Sequence, residues 1–231
     1  MTPGIELALG STLLFGIGDF VYKRGAAAGV QAHHFLMVQS WVFTPTVILY
    51  GIVTGSLAFG RAALWGGLAG FFIFIGFYNF AYSLKSGSVS VNAPIFRVLV
   101  ATVAVGIGNF IHKIGLRAGA TPATLVVAQA AVVVTLATAF AGGVDGRLRP
   151  AARAWRYAPV AALLLAGAFV FLVESLARGE ASVLVPIAQM GFVVTAVLGF
   201  FFLAEPFTLR KGAGLAAALA ALASLAYGRT P

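Results

Sequence analysis

The sequence predicts an all-α integral membrane protein with about eight transmembrane helices. Hydrophobic residues make up 61% of the 231 residues and charged residues only 9%, and the mean hydropathy is +1.00. A water-soluble domain of this size could not hide so much apolar surface in one core. Apolar stretches long enough to cross a bilayer about 30 Å thick also recur along the chain.

Polar residues divide the chain into eight such stretches. The predicted spans are residues 5–22, 33–53, 63–84, 88–111, 121–141, 158–177, 182–203 and 209–227. Strands are not expected, because lipid admits only helices or closed barrels and these runs are too long and continuous for barrel strands. We expect a multi-pass protein of a bacterial inner (plasma) membrane.

Basic residues occur between successive spans along the chain. They follow the successive spans as Lys23 and Arg24, Arg61, Lys85, Lys113 and Arg117, the run Arg147 to Arg156, Arg178, Arg210 and Lys211, and Arg229. Single residues and short clusters between apolar runs are typical of the loops of a polytopic protein. We therefore assign the net charge of +9 to contacts with lipid headgroups and not to nucleic acid.

Composition also limits the chemistry. The chain has no Cys, so thiol catalysis and Cys metal sites are excluded. Its three histidines, His33, His34 and His112, lack metal-ligand spacing. No Walker-type phosphate loop is present, so ATP is not expected to drive the protein. We expect no cofactor, no metal and no enzymatic activity.

One ten-residue phrase occurs twice, as "GIGDFVYKRG" at 16–25 and "GIGNFIHKIG" at 106–115. Aligning 15–30 with 105–120 gives eight identities in sixteen, and Asp19 faces Asn109. After a slip of two residues, "YSLKSGSVSVNAPI" at 82–95 pairs with "ESLARGEASVLVPI" at 174–187. The similarity covers most of four helices, which indicates an internal repeat.

The related helices lie three spans apart, and an odd spacing reverses direction in the membrane. The two copies are therefore predicted to be inverted-topology repeats, an incomplete first repeat at 1–95 and a second of five helices at 96–231. Many secondary transporters use this plan, with a midplane binding site between halves that expose it alternately.

At these residues the chain resembles the EamA-like branch of the drug/metabolite transporter superfamily. The resemblance rests on the first helix, on "GSVSVNAPI" and "GEASVLVPI", and on the stretch that contains "AEPFTLRKG". It implies two inverted five-helix repeats, ten helices in all, and the movement of small metabolites, often outward.

One departure from that pattern concerns the first repeat. The second copy continues from residue 187 to 228, and these 41 residues have no counterpart in the first copy. The span 88–111 thus resembles a fusion of the first repeat's fourth helix with the second repeat's first helix. Two alternatives follow, a working eight-helix variant or a deletion product that inserts but transports poorly.

The candidate binding residues begin with the repeated phrase. Asp19 and Lys23 lie four residues apart on one helix face. Asp19 is either a proton, cation or substrate site or the structural partner of a snorkelling Lys23. In the second copy, Asn109 and Lys113 keep the polar spacing without the acid.

Three further candidates lie in other spans. Glu174 is either a substrate or coupling-ion contact or an interfacial carboxylate paired with Arg178. Gln39 and Gln129 are matched amides in paired helices, which suits a pseudo-symmetric cavity, although amides also join membrane helices without transporting anything.

Two more candidates complete the set. Arg97 would bind an anionic group if buried and would otherwise snorkel. Tyr82 is either part of a polar, aromatic lining or part of an interfacial belt. Small-residue faces such as "GLAAALAALASLA" suit close helix packing or a homodimer.

These observations favour a secondary transporter that exports a small metabolite, amino acid or drug-like solute, with protons as candidate coupling ions. Two alternatives stay open. One is a carrier of a lipid-linked or nucleotide-sugar substrate. The other is a non-transporting or defective membrane subunit.

Overall fold

The computed structural model describes residues 2–84, 92–203 and 209–227. Within these ranges the chain folds into nine α-helices without a strand. The helices are α1 (Pro3–Ala27), α2 (Ala32–Val53), α3 (Ala63–Ser83), α4 (Asn92–Arg117), α5 (Pro122–Asp145), α6 (Ala154–Arg178), α7 (Ala181–Ala188), α8 (Gly191–Leu203) and α9 (Leu209–Tyr227). The predicted all-α class is confirmed.

Seven spans in the described ranges are long and apolar enough to cross a membrane. Six are the helices α1 to α6, and the seventh is formed by α7 and α8 together. Helix α9 carries a shorter apolar stretch, Gly212–Ala221. The predicted span 88–111 begins at residues outside the described ranges, and α4 then runs unbroken for 26 residues. The chain is an integral, multi-pass membrane protein.

The two copies of the repeated phrase end their helices in the same way. Gly29, after α1, and Gly119, after α4, have φ angles of 80° and 90°, a left-handed conformation that favours glycine. The N–H of the next residue then donates to a carbonyl in the last part of the helix. Val30 donates to Gly25 and Ala120 donates to Gly115, each at 3.0 Å. The shared glycines thus serve the turn into the next helix.

The start of the following helix also packs alike in both copies. The backbone of Gly25 lies against the ring of Phe35, and that of Gly115 lies against Leu125. Both pairs are separated by ten residues and are related by the same offset of ninety. A Cβ atom at either glycine would lie 2.6 Å from this neighbour, so a larger residue would require the side chain of Phe35 or Leu125 to move.

Helix α6 is the centre of the bundle. In its most apolar stretch 56% of the residues are buried, against 28% for α3. Helix α1 packs mainly on α6 and α8, α3 packs mainly on α4 and α5, and α2 packs on α5 and α6. Leu165, Leu172 and Leu176 of α6 are fully buried at these contacts. Beside these contacts, a space remains between α1, α3, α4, α7 and α8.

Candidate functional site

A cavity of about 660 Å³ lies between α1, α3, α4 and the α7–α8 pair. Most of its wall is apolar, with Phe15 from α1 and Phe77 and Phe80 from α3 among the lining side chains. Asp19 is the one ionisable group among the described residues that line it. This volume falls in the range of small-molecule sites, about 300–1,000 Å³.

Asp19 reaches this cavity from well inside the membrane. It lies eight residues before the end of α1, or about 12 Å along the helix axis. The ion pairs between described residues lie elsewhere, at Asp145 and at Glu174. An intramembrane carboxylate is costly unless it faces a cavity or the bundle interior, and the cavity supplies that environment.

The membrane span opposite Asp19 is discontinuous. Helix α7 ends at Ala188 and α8 begins at Gly191, and Gln189 and Met190 between them line the cavity. Pro186, two residues before the end of α7, has no N–H to donate to a helical carbonyl. Helix ends exposed at a cavity in mid-membrane are a common source of binding groups in transporters.

Helix α1 holds this break through two hydroxyl groups. Thr12 Oγ1 donates to the carbonyl of Ile187 at 2.6 Å, and Thr195 Oγ1 donates to the carbonyl of Gly16 at 2.9 Å. The backbones also touch, because a Cβ atom added at Gly16 would lie 2.5 Å from the carbonyl oxygen of Gly191. The α1–α8 contact therefore requires glycine at residue 16.

The matching glycine in α4 has different surroundings. A Cβ atom added at Gly106 meets no other atom within 4 Å, and Gly106 lines the cavity. Repeat alignment pairs Gly191 with Leu99, which lies seven residues before Gly106 in α4 itself. One helix cannot pack on itself in this way, so the surface beside Gly106 is left uncovered.

The matched amides Gln39 and Gln129 do come together. They line a small central cavity of about 20 Å³ with Ser40 of α2 and Phe169 of α6. Both amides are buried, at 8% and 1% exposure. Such a cavity holds about one water molecule. The amides therefore form a polar layer separate from the cavity that Asp19 lines.

Each amide has an aromatic neighbour from the preceding helix. The Tyr22 hydroxyl donates to Gln39 Oε1, and His112 lies beside Gln129. Tyr22 and His112 are related by the same offset of ninety residues as the two amides. Within the described part of the chain, Gln129 Oε1 and both ring nitrogens of His112 lack hydrogen-bond partners.

The counterpart of Asp19 has no access to the large cavity. Asn109 is fully buried, and neither its amide nitrogen nor its oxygen has a hydrogen-bond partner among the described residues. At this position the two repeats thus differ both in charge and in access to the cavity. One presents a carboxylate to the cavity and the other buries an unpartnered amide.

Lys113 stabilises a helix end. Its ammonium donates to the carbonyls of Leu176 and Gly179, each at 2.6 Å. These carbonyls lie at the end of α6, where the last turn leaves acceptors unpaired. Lys113 therefore acts in the fold, while Lys23, its counterpart, lies half-buried in α1 outside the cavity lining.

Glu174 forms the predicted pair with the residue four positions later. Its Oε2 atom accepts from Arg178 Nη1 at 2.6 Å, and Tyr50 donates to Oε1 at 3.4 Å. Glu174 does not belong to the described cavity lining. The pair with Arg178 agrees with the interfacial alternative for Glu174.

The two remaining candidates are placed as follows. Tyr82 is 41% exposed, and its ring lies at a tilt to that of Tyr78, with ring centroids 6.1 Å apart. Arg97 lies in α4, and its side chain is outside the described residues. Neither residue adds a described contact to the large cavity.

Sequence reasoning missed several groups of the site. Tyr22 and His112 could have been found, because the repeat alignment pairs them next to matched amides. Gln189 also carried a signal, because the slipped repeat alignment pairs it with the candidate Arg97, whereas Met190 carried none. The offset of ninety residues is thus the most informative pattern for the polar layer.

Comparison with known proteins identifies one family. The EamA-like transporter family matches residues 94–227, which is more than half of the chain. Neither the curated proteins nor the solved structures give a match.

Proposed function

Because the chain belongs to the EamA-like transporter family, we propose that it is a secondary transporter that exports a small metabolite, amino acid or drug-like solute by alternating access. Family membership makes the protein a membrane transporter in general. The nature of the solute, the outward direction and the alternating-access cycle are the additional parts of the proposal.

The observation that carries it is the cavity of about 660 Å³ with Asp19 in its wall. A site for a small molecule is expected to be concave and mostly apolar, with a few polar groups that orient the ligand. Here one carboxylate faces a break in the opposite helix. This combination suits reversible binding in mid-membrane.

The lining also favours one solute chemistry. The rings of Phe15, Phe77 and Phe80 offer apolar surface, while Asp19 suits an amine, another cation or a proton. None of the described lining residues is basic, and the Asp19 carboxylate would repel the diphosphate of a nucleotide sugar. We therefore favour a solute with an apolar body.

Helix packing supports the inverted repeats on which alternating access would depend. Helix α1 packs on α6, and its counterpart α4 packs on α3, the counterpart of α6. This exchange of partners is what a pseudo-two-fold axis produces. The family match begins at residue 94, next to the start of the second repeat at 96. The packing supports the repeat symmetry, and the family match supports a repeat boundary near residue 95.

Asp19 is our candidate for proton coupling. A carboxylate that faces both the cavity and the solute can bind either a proton or a cationic group, and exchange between the two would link their movements. Glu174 already has Arg178 as a partner at 2.6 Å. A role in coupling is therefore assigned to Asp19 alone.

The test compares extracellular metabolites from cells that express the protein with those from cells that do not. Gly106→Phe would place a ring at the cavity wall and obstruct part of the cavity, because the position has open space for a side chain. Gly143→Phe is the matched control, since Gly143 in α5 has equally open space and does not line the cavity. We expect the extracellular concentration of at least one solute to be higher for cells that express wild type or Gly143→Phe than for cells without the protein. Cells that express Gly106→Phe should show no such increase.

A second candidate function is a membrane subunit that does not transport. The uncovered surface beside Gly106 favours it, because a complete first repeat would place a helix there. In that case the cavity marks the missing helix and not a solute site. The same comparison separates the two functions, since this candidate predicts no difference in extracellular solutes across a broad panel.

A further inference from the structure

Three side chains with metal-binding atoms meet at the ends of two helices. His33 and His34 lie in the first turn of α2, and Asp145 is the last residue of α5. His33 Nε2 lies 3.2 Å from one carboxylate oxygen of Asp145, and His34 Nε2 lies 2.5 Å from the other. One potential ligand atom from each residue lies within 4.8 Å of the others.

We propose that His33, His34 and Asp145 bind a divalent transition-metal ion of the zinc class. Two imidazole nitrogens and one carboxylate oxygen suit zinc, cobalt, nickel or copper, while magnesium and calcium prefer all-oxygen sites. Ligand atoms of a bound zinc ion lie about 2.0–2.2 Å from the metal. Small side-chain rotations would admit such an ion among the three residues.

The position of the cluster makes it accessible. The histidine side chains are each 14% exposed and that of Asp145 is 24% exposed. All three lie at the ends of their membrane spans, so an ion can enter from water. Water molecules would complete the coordination, as in zinc sites with three protein ligands.

Such an ion would join α2 to α5. These helices carry the matched amides Gln39 and Gln129, and they pack against each other along the bundle. The ion would fix their ends on one side of the membrane. Binding should therefore raise the melting temperature, because a ligand that binds only the folded state stabilises it.

The test is zinc titration of the full chain, purified in detergent without a polyhistidine tag. Calorimetry is expected to give one zinc ion per wild-type chain. His34→Gln and Asp145→Asn should bind zinc at least tenfold more weakly and should lose the zinc-dependent rise in melting temperature. Glu6→Gln is the control and should behave as wild type. It removes an exposed carboxylate at the start of α1, and the cluster lies near the other end of that helix.

X-ray absorption of the zinc-loaded wild-type protein gives a result that does not depend on any variant. We expect scattering from two imidazole rings bound to zinc. The proposal would be overturned if Asp145→Asn and His34→Gln bound zinc as tightly as wild type does. A spectrum without imidazole ligands would also overturn it. Magnesium should give neither heat nor stabilisation.

Discussion

At the scale of single residues, the repeated glycines Gly16 and Gly106 are predicted to differ. Gly16→Ala should lower the free energy of unfolding by about 1–3 kcal/mol, because the new Cβ atom meets the carbonyl of Gly191 at 2.5 Å. Gly106→Ala should change it little, since that position is open. Thermal unfolding of both variants in detergent measures the difference.

Equal destabilisation by the two substitutions would contradict the assigned packing of α1 on α8. The comparison is closely matched, because both glycines occupy the same place in the repeated phrase. Sequence alone cannot predict the outcome. Identity at aligned positions reports a shared origin, while the tolerance of a position depends on the helix that covers it.

The second prediction at this scale concerns the stabilising role of Lys113 at the end of α6. Lys113→Met keeps the apolar stem and removes two hydrogen bonds to the end of α6, so stability should fall by about 1–3 kcal/mol. Arg117→Met, an exposed change at the end of the same helix, is the control. A fall of the melting temperature in the control as large as in Lys113→Met would refute the capping role.

The residue scale also shows what sequence reasoning could and could not predict. The alternatives for Glu174 included the pair with Arg178, because a spacing of four residues fixes helical neighbours. The hydrogen bonds of Lys113 were not predicted, since its acceptors lie more than sixty residues away in the chain. Local spacing predicts local contacts only.

At the scale of helices, the α7–α8 break is held by α1. Thr12→Val removes the hydrogen bond to Ile187 with little change in shape, and should cost about 0.6–1.5 kcal/mol of unfolding free energy. Thr135→Val is the control, because Thr135 is exposed and bonds only within its own helix. If thermal unfolding gave the two variants equal stability, the Thr12 hydrogen bond would not stabilise the break.

Helix positions were predicted well, but this break was not. Hydropathy measures how apolar a run is, so the spans of α1, α2, α3, α5 and α6 emerged close to their observed bounds. The run 182–203 is apolar apart from isolated polar residues, and hydropathy therefore predicted one helix. The break follows Pro186, which has no N–H to donate, and hydrogen bonds join α1 to Ile187 before the break and to Thr195 after it.

At the scale of the whole molecule, the large cavity depends on five helices, α1, α3, α4, α7 and α8, from separate parts of the chain. The sequence predicted Asp19 as a candidate but did not predict what it would face. The cluster of His33, His34 and Asp145 was missed for the same reason, because Asp145 lies 111 residues after His34. Sites assembled from different helices become visible only when the packing is known.

For the whole molecule we propose that the Asp19 cavity is the site at which solute and proton movements are coupled. The most direct test uses proteoliposomes loaded with the solute that the metabolite comparison identifies, with an imposed pH gradient. The rate of solute release is measured for wild type, Asp19→Asn and Glu174→Gln. Asp19→Asn introduces the residue that the second copy of the repeat has at this position, Asn109. Glu174→Gln removes the second candidate carboxylate, which lies outside the cavity lining.

We predict that the pH gradient accelerates release by wild type and Glu174→Gln, and that Asp19→Asn loses this acceleration. An unchanged response in Asp19→Asn, with a loss in Glu174→Gln or in neither variant, would contradict the claim.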